Sequence, residues 1–287
     1  MKIALATCAE LPGWEVDDQP LIESLQSKGA TVAFPIWNDA HVDWEQFDIT
    51  VIRTTWDYHL KKNEFVAWCN SVPRLFNNAA IVSWNTHKSY LRELSKKGVA
   101  IAPTVWIETG EKIDAARTME QFKTDRGFIK PQVGACASDT LRFTLDNVKE
   151  AQVFLDSQLH QDMMMQPYIA SVETEGELSA IFIDGTLSHG VQKIPVAGDY
   201  RVQDDFGASD MPYTFTKSEV REMNKTLLAV PDNASLLYAR FDYLRSDEGT
   251  LLLNELELVE PSLFFRHSEE SASLLADAII KRYMMQS

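Results

Sequence analysis

The sequence predicts an α/β protein, and three observations carry that prediction. Short apolar, β-favouring runs alternate with helical stretches through the first third of the chain, the pattern of a small parallel sheet. Further on, Leu236 to Phe265 holds two apolar runs around the polar turn Asp247-Glu248-Gly249, which predicts an antiparallel hairpin. The 287 residues, 45% hydrophobic and 24% charged, suit a soluble globular chain of one or two compact domains.

Taken in order, Lys2–Thr7 reads as a strand and Pro20–Lys28 as a helix ended by Gly29. Thr31–Phe34 and Ile49–Arg53 read as strands, and Glu64–Asn70 as a helix. Ligands on such sheets sit beyond the carboxyl ends of the strands, where Thr7 and the run Arg53 to Tyr58 fall. Charges directly after a core strand need partners, so Arg53 and Asp57 are candidates for gripping a zwitterionic substrate. Trp56 reads first as a buried cap on the sheet, and Asp17 and Asp18 as helix N-terminal acids. Pro73 to Trp84 reads as a connector, with a domain boundary near it.

A helix over Ser89–Lys97 follows, opened by Asn85-Thr86-His87-Lys88 and closed by Gly98. Lys88 is poorly placed for the helix dipole, which makes a bound anion the alternative to a plain surface lysine. Next come a strand over Pro103–Ile107, a helix over Ile113–Phe122 and the strand Phe128–Pro131. Lys130 ends that strand ahead of the small-residue run Val133 to Thr140. Such a run lets backbone N–H groups close around phosphate while a lysine supplies charge; with one glycine and no Walker A pattern, an ordinary turn competes with that reading. Met163–Ile169 is a strand running into Pro167; Leu178–Ile183 is another, introduced by Glu175-Gly176-Glu177 and closed at Asp184-Gly185. Lys217–Val230 and Ser268–Met285 read as helices either side of the hairpin.

Acids mark that hairpin. Asp242 interrupts its first run, and Glu255, Glu257 and Glu260 punctuate the second. Side chains alternate along a strand, so Glu255 and Glu257 share a face. A four-residue loop or one bulge brings Asp242 opposite Glu255; a plain three-residue loop brings it opposite Asn254. The residues do not choose between them. Carboxylates on one face repel unless a cation lies between, and Mg²⁺ takes one or two carboxylates plus phosphate oxygens. The competing reading is a solvated acidic face, against which the interleaved apolar residues argue.

Asp, a turn, then Glu-x-Glu with Pro-Ser beyond resembles the C-terminal metal site of the ATP-grasp superfamily, to which glutathione synthetase and D-alanine–D-alanine ligase belong. The ordered set from Lys88 to Glu260 supports the resemblance, although no single motif in it is specific. It implies an ATP-grasp fold behind an N-terminal parallel-sheet domain: residues 1–84 for substrate, 85–166 and 167–287 as the two ATP-grasp subdomains. It implies ATP and Mg²⁺, with Asp242, Glu255 and Glu257 as metal ligands; many members have Asn where this chain has Glu257. Lys88 and Lys130 would contact the phosphates under the loop holding Gly134 and Ala135. Gln166, Pro167, Tyr168 and Ile169 would line the adenine slot, with Glu177, or alternatively Glu173, on the ribose. Lys193 and Arg201 would face the γ-phosphate, and Arg240 and Arg266 would position carboxylate or phosphate. Glu260 joins Arg53 and Asp57 as a substrate candidate.

WDY, SHGVQKIP, GDYRVQ, YARFD and NELELVEPSLFF are also similar to a small ATP-grasp group that includes the cyclo-ligase forming D-cycloserine. The function implied is a carboxylate–amine ligase that makes an acyl-phosphate on a small amino-acid-like substrate. A phosphotransferase, or a cyclo-ligase using one substrate, is the alternative; a non-catalytic ATP-binding protein fits the full set of acids and cations less well.

The net charge of −15, without a basic cluster, argues against nucleic acid as a partner. Cys8, Cys69 and Cys136 form neither a metal pair nor a disulfide framework, which suits a reducing compartment. The opening apolar run is too short for a signal peptide and no stretch reaches membrane-spanning length, so a cytoplasmic chain is expected. Oligomeric state stays open, a homodimer included.

Overall fold

The computed structural model describes residues 1–11, 15–134, 139–203 and 206–286. Three sheets follow one another along the chain. The first is parallel, with β1 (Lys2–Thr7), β2 (Thr31–Ala33), β3 (Ile49–Thr54) and β4 (Leu75–Phe76) in the order β2-β1-β3-β4. Helix α1 (Gln19–Ser27) buries Leu21, Ile22 and Leu25, the spacing of one helical face. Helices α2 (Lys62–Ser71) and α3 (Ala79–Asn85) complete this unit.

The expected connector from Pro73 to Trp84 is instead β4 and α3. Asn77 explains why this segment is packed rather than exposed. Its buried amide donates to the carbonyls of Tyr238 (3.0 Å) and Leu258 (2.7 Å) and accepts from the N–H of Leu237 (2.8 Å). A side chain that satisfies three buried backbone groups ties this unit to the C-terminal sheet.

The second sheet is antiparallel, with β5 (Val105–Ile107), β6 (Arg126–Pro131), β7 (Leu141–Thr144) and β8 (Met163–Pro167) in the order β5-β8-β6-β7. Helices α5 (Ala115–Phe122) and α6 (Val148–Ser157) cover it, after α4 (Tyr90–Lys96). Met163 and Met165, with Ile129 and Phe143, lie in the core between sheet and helices. The third sheet has β9 (Glu177–Ile183), β10 (Thr186–Ile194), β11 (Ser209–Tyr213), β12 (Tyr238–Arg245) and β13 (Leu251–Glu257) in the order β11-β10-β9-β12-β13. Helices α7 (Lys217–Ala229) and α8 (Ser271–Gln286) flank it. Every residue of β9 is buried, as befits the central strand. Leu275, Ala276 and Ile279 of α8 share one core with Leu21 and Leu25 of α1, so the last helix packs on the first sheet's unit. No helix among the described residues is long and apolar enough to cross a membrane.

Strands β7 and β11 and helix α6 are additions to the elements expected from sequence. They are short or polar: β11 is mostly exposed, and α6 buries only Ala151 and Leu155.

Candidate active site

The hairpin of β12 and β13 settles its register with a bulge. Arg240 pairs with Glu257 and Asp242 with Glu255, but Tyr243 pairs with Leu253, so Asn254 is the extra residue. That places Arg240, Asp242, Glu255 and Glu257 on one wall of a cleft of about 390 Å³. Lys88, Lys130, Gly134, Glu177, Lys193, Arg201, Glu260 and Arg266 line the same cleft. It adjoins a slot of about 90 Å³ lined by Gln166, Pro167, Tyr168 and Ile169, with Glu177 and Lys130 common to both. Residues dispersed from Lys88 to Arg266 thus converge.

Acids and cations alternate along the wall. Arg240 donates to Asp242 (3.0 Å) and also reaches Glu257. Lys193 lies 2.6 Å from Glu177 and 3.4 Å from Asp242, and the Ser179 hydroxyl donates to Asp242 as well. Lys88 sits between the Glu255 carboxylate (2.8 Å) and the Gly134 carbonyl (3.1 Å). Lys130 donates to the Asn254 amide oxygen (3.0 Å), whose nitrogen donates to Glu177 (2.6 Å).

Burial opposes the charge on Asp242, but Arg240 and Lys193 hold its carboxyl well below the usual carboxylate range. Burial also opposes the charge on Glu255, and Lys88 and Lys130 overcome it. Glu257 goes the other way. Burial, with Asp242 and Glu255 close by, pushes it up to about 7 despite Arg240. Burial, reinforced by Lys88, pushes Lys130 down to about 8.

Among the described residues no three His, Cys, Asp or Glu side chains gather as a ready metal site. The donor chemistry nevertheless fits Mg²⁺. Two acids on facing strands and a third beside them present hard oxygens, and an ion that shares its shell with phosphates needs no complete protein cage. Lys88, Lys193 and Arg240 pair with these acids.

Several candidates lie elsewhere. Arg53 is 1% exposed and makes a two-pronged ion pair with Asp18 (2.8 Å each), so it is not available to a substrate in the cleft. Asp57 accepts from Trp37 Nε1 (2.7 Å) and does not line the cleft. Glu173 is taken by Arg126 (2.6 Å), Arg142 (2.9 Å) and the Tyr168 hydroxyl (2.8 Å), away from both cavities. Glu177 is therefore the acid at the slot. Arg201 lines the cleft, with its guanidinium on Asp199 (2.7 Å) and over the Phe206 ring. Trp56 is half-buried at the cleft rather than a covered cap on the sheet. Ala135 lies outside the described residues. Asn254, Ser179, Phe128 and Tyr200 went unread as site residues. An amide next to the hairpin acids and the Tyr of GDYRVQ were the available cues.

With this geometry in hand, comparison with known proteins is informative. The fold is the ATP-grasp fold: 99% of the chain superposes on D-alanine–D-alanine ligase from Bacillus anthracis complexed with ATP, over 98% of that chain, at 14% identity and a TM-score of 0.69. More particularly, the chain is similar to D-cycloserine synthetase. Its crystal structure superposes over 99% of this chain and 100% of that one, at 27% identity and a TM-score of 0.87. The cycloserine biosynthesis protein DcsG of Streptomyces lavendulae is 29% identical over 98% of both chains. Residues 3–77 match the family described as D-cycloserine synthetase DcsG, N-terminal domain.

Proposed function

We propose that the chain is an ATP- and Mg²⁺-dependent ligase that forms a C–N bond through an acyl-phosphate on a small, amino-acid-like substrate. The observation that carries this reading is one cleft in which Lys88, Lys130, Lys193 and Arg240 face the acids Asp242, Glu255 and Glu257, continuous with the slot at Gln166–Ile169. The similarity to D-cycloserine synthetase, maintained over the whole chain, supports the ligase class.

In this reading the adenine lies in the slot and Glu177 holds the ribose. Lys88 and Lys130 neutralise the triphosphate, and Asp242, Glu255 and Glu257 hold Mg²⁺. The metal supplies charge neutralisation at the transferred phosphoryl group. Arg240 and Lys193, fixed by buried ion pairs, stabilise charge that builds as a substrate carboxylate attacks the γ-phosphorus. An amine then displaces phosphate from the acyl-phosphate. Lys88, whose ammonium also donates to the Gly134 carbonyl, closes one side of the cleft where that intermediate forms.

The test is chemical trapping. Turnover in hydroxylamine is expected to give the substrate hydroxamate, which Glu255→Gln is expected to reduce at least ~100-fold, the loss of about 2.7 kcal/mol of transition-state stabilisation. A phosphorylated product that resists hydroxylamine would replace the ligase with a kinase.

A further inference from the structure

Beyond β13 the chain leaves the sheet and runs as irregular backbone to Phe264, and side chains from other elements seize it. The Leu258 carbonyl accepts from Asn77 (2.7 Å), Val259 from the Tyr238 hydroxyl (2.8 Å) and Glu260 from Trp56 Nε1 (3.3 Å). Pro261 accepts from Arg53 (3.1 Å), Ser262 from Arg240 (3.0 Å) and Leu263 from His189 (3.1 Å). Six successive carbonyls are thereby held by six side chains. Asp17 takes the N–H groups of Phe265 (3.1 Å) and Arg266 (3.0 Å) beyond them. Irregular backbone fixed so thoroughly presents a side chain in one place.

That side chain is Glu260, which lines the cleft beside Trp56 and Tyr58. The four acids of the sheet wall each have a lysine or arginine partner. Glu260 has no ion pair among the described residues, and its own backbone N–H does more than Arg240 to favour the charged carboxyl. Glu15, also at the cleft, differs in capping the Asp17 N–H (3.1 Å). Burial, with Glu257 next in importance, holds the Glu260 carboxyl well above the usual carboxylate range. A rigidly placed acid without an ion pair, in a cleft that Trp56 and Tyr58 also line, is arranged for a cation that comes from outside.

We infer that Glu260, with Trp56 and Tyr58, is the recognition site for a protonated primary amine, carried by the same substrate whose carboxylate is activated. The inference rests on the ligase reading above and deepens it. The chemistry has a consequence: an amine held as ammonium has no free electron pair, so it is a handle, and the C–N bond forms at another nitrogen.

Phosphate release from MgATP is to be measured with D- and L-α-amino acids and with their des-amino and N-acetyl counterparts. The free amino acid is expected to stimulate and its uncharged counterparts to fail. Glu260→Gln is expected to raise KM for the amino acid at least tenfold while KM for ATP stays within twofold, and Glu260→Asp to recover part of the loss. Melting and MgATP binding of both variants show that they fold. Equal turnover of a des-amino or N-acetyl acid, or an unchanged KM in Glu260→Gln, would overturn the inference and leave the ligase standing. If no carboxylic acid of either kind releases phosphate, the ligase reading falls, and the inference with it.

Discussion

Lys130 combines burial with a neutral hydrogen-bond partner, the Asn254 amide oxygen at 3.0 Å. Its pKa of about 8 means that the ammonium is lost as pH rises through that value. Phosphate binding needs the charged form. MgATP affinity is therefore expected to be flat below pH 8 and to weaken above it, by up to ~10-fold per pH unit. Lys130→Arg should remove that dependence, since a guanidinium keeps its proton. Calorimetric titration across this range checks both; a pH-independent wild type would take Lys130 off the phosphates. At the same scale, Glu255 is a cleaner test of the metal than Asp242. Removing Asp242 leaves Arg240 and Lys193 buried with less compensation, a cost of about 3–5 kcal/mol to the fold itself. The side chain of Glu255 is 31% exposed and its direct ion pair is with Lys88, so its loss reads on chemistry.

Elements decide whether such residues meet. The hairpin's acids, its turn and the shared face of Glu255 and Glu257 were legible because strand alternation is local. Its register was not, because a bulge at Asn254 and a longer loop leave the same residues in the same order. The β4–α3 segment was misjudged for a related reason: Asn77 is satisfied by backbone groups around residues 237–258, which sequence proximity does not reveal. Arg53 shows the same limit, since its partner Asp18 lies on a different element. The turn before β9 is more tightly specified. Gly176 has φ +72°, and a Cβ there would lie 2.0 Å from the Lys193 carbonyl. Gly176→Ala is expected to cost more than the ~1–2 kcal/mol of left-handed strain alone, and to weaken MgATP binding by displacing Glu177 and Lys193. Gly249, at φ +81° with open space around it, supplies the control. Gly249→Ala should lower the melting temperature slightly and leave MgATP affinity unchanged. Equal behaviour of the two would contradict the close approach at Gly176.

Across the whole molecule, the site draws residues from all three sheet units. The second brings Lys130 and the strand that ends in the slot at Gln166–Ile169, the third brings the acids with Lys193 and Arg240, and the first brings Trp56 and Tyr58. The ATP-grasp portion could be anticipated from the sequence because its motifs recur in order, whereas the substrate end depends on contacts between distant segments. The central claim is C–N ligation driven by ATP, and the most direct measurement follows ADP, phosphate and product mass together, with MgATP and amino acids offered singly and in pairs. The account predicts one ADP and one phosphate per product, and a product lighter than its substrates by one water. ADP with a product heavier by a phosphoryl group, or ATP bound without any acid-dependent turnover, would contradict it.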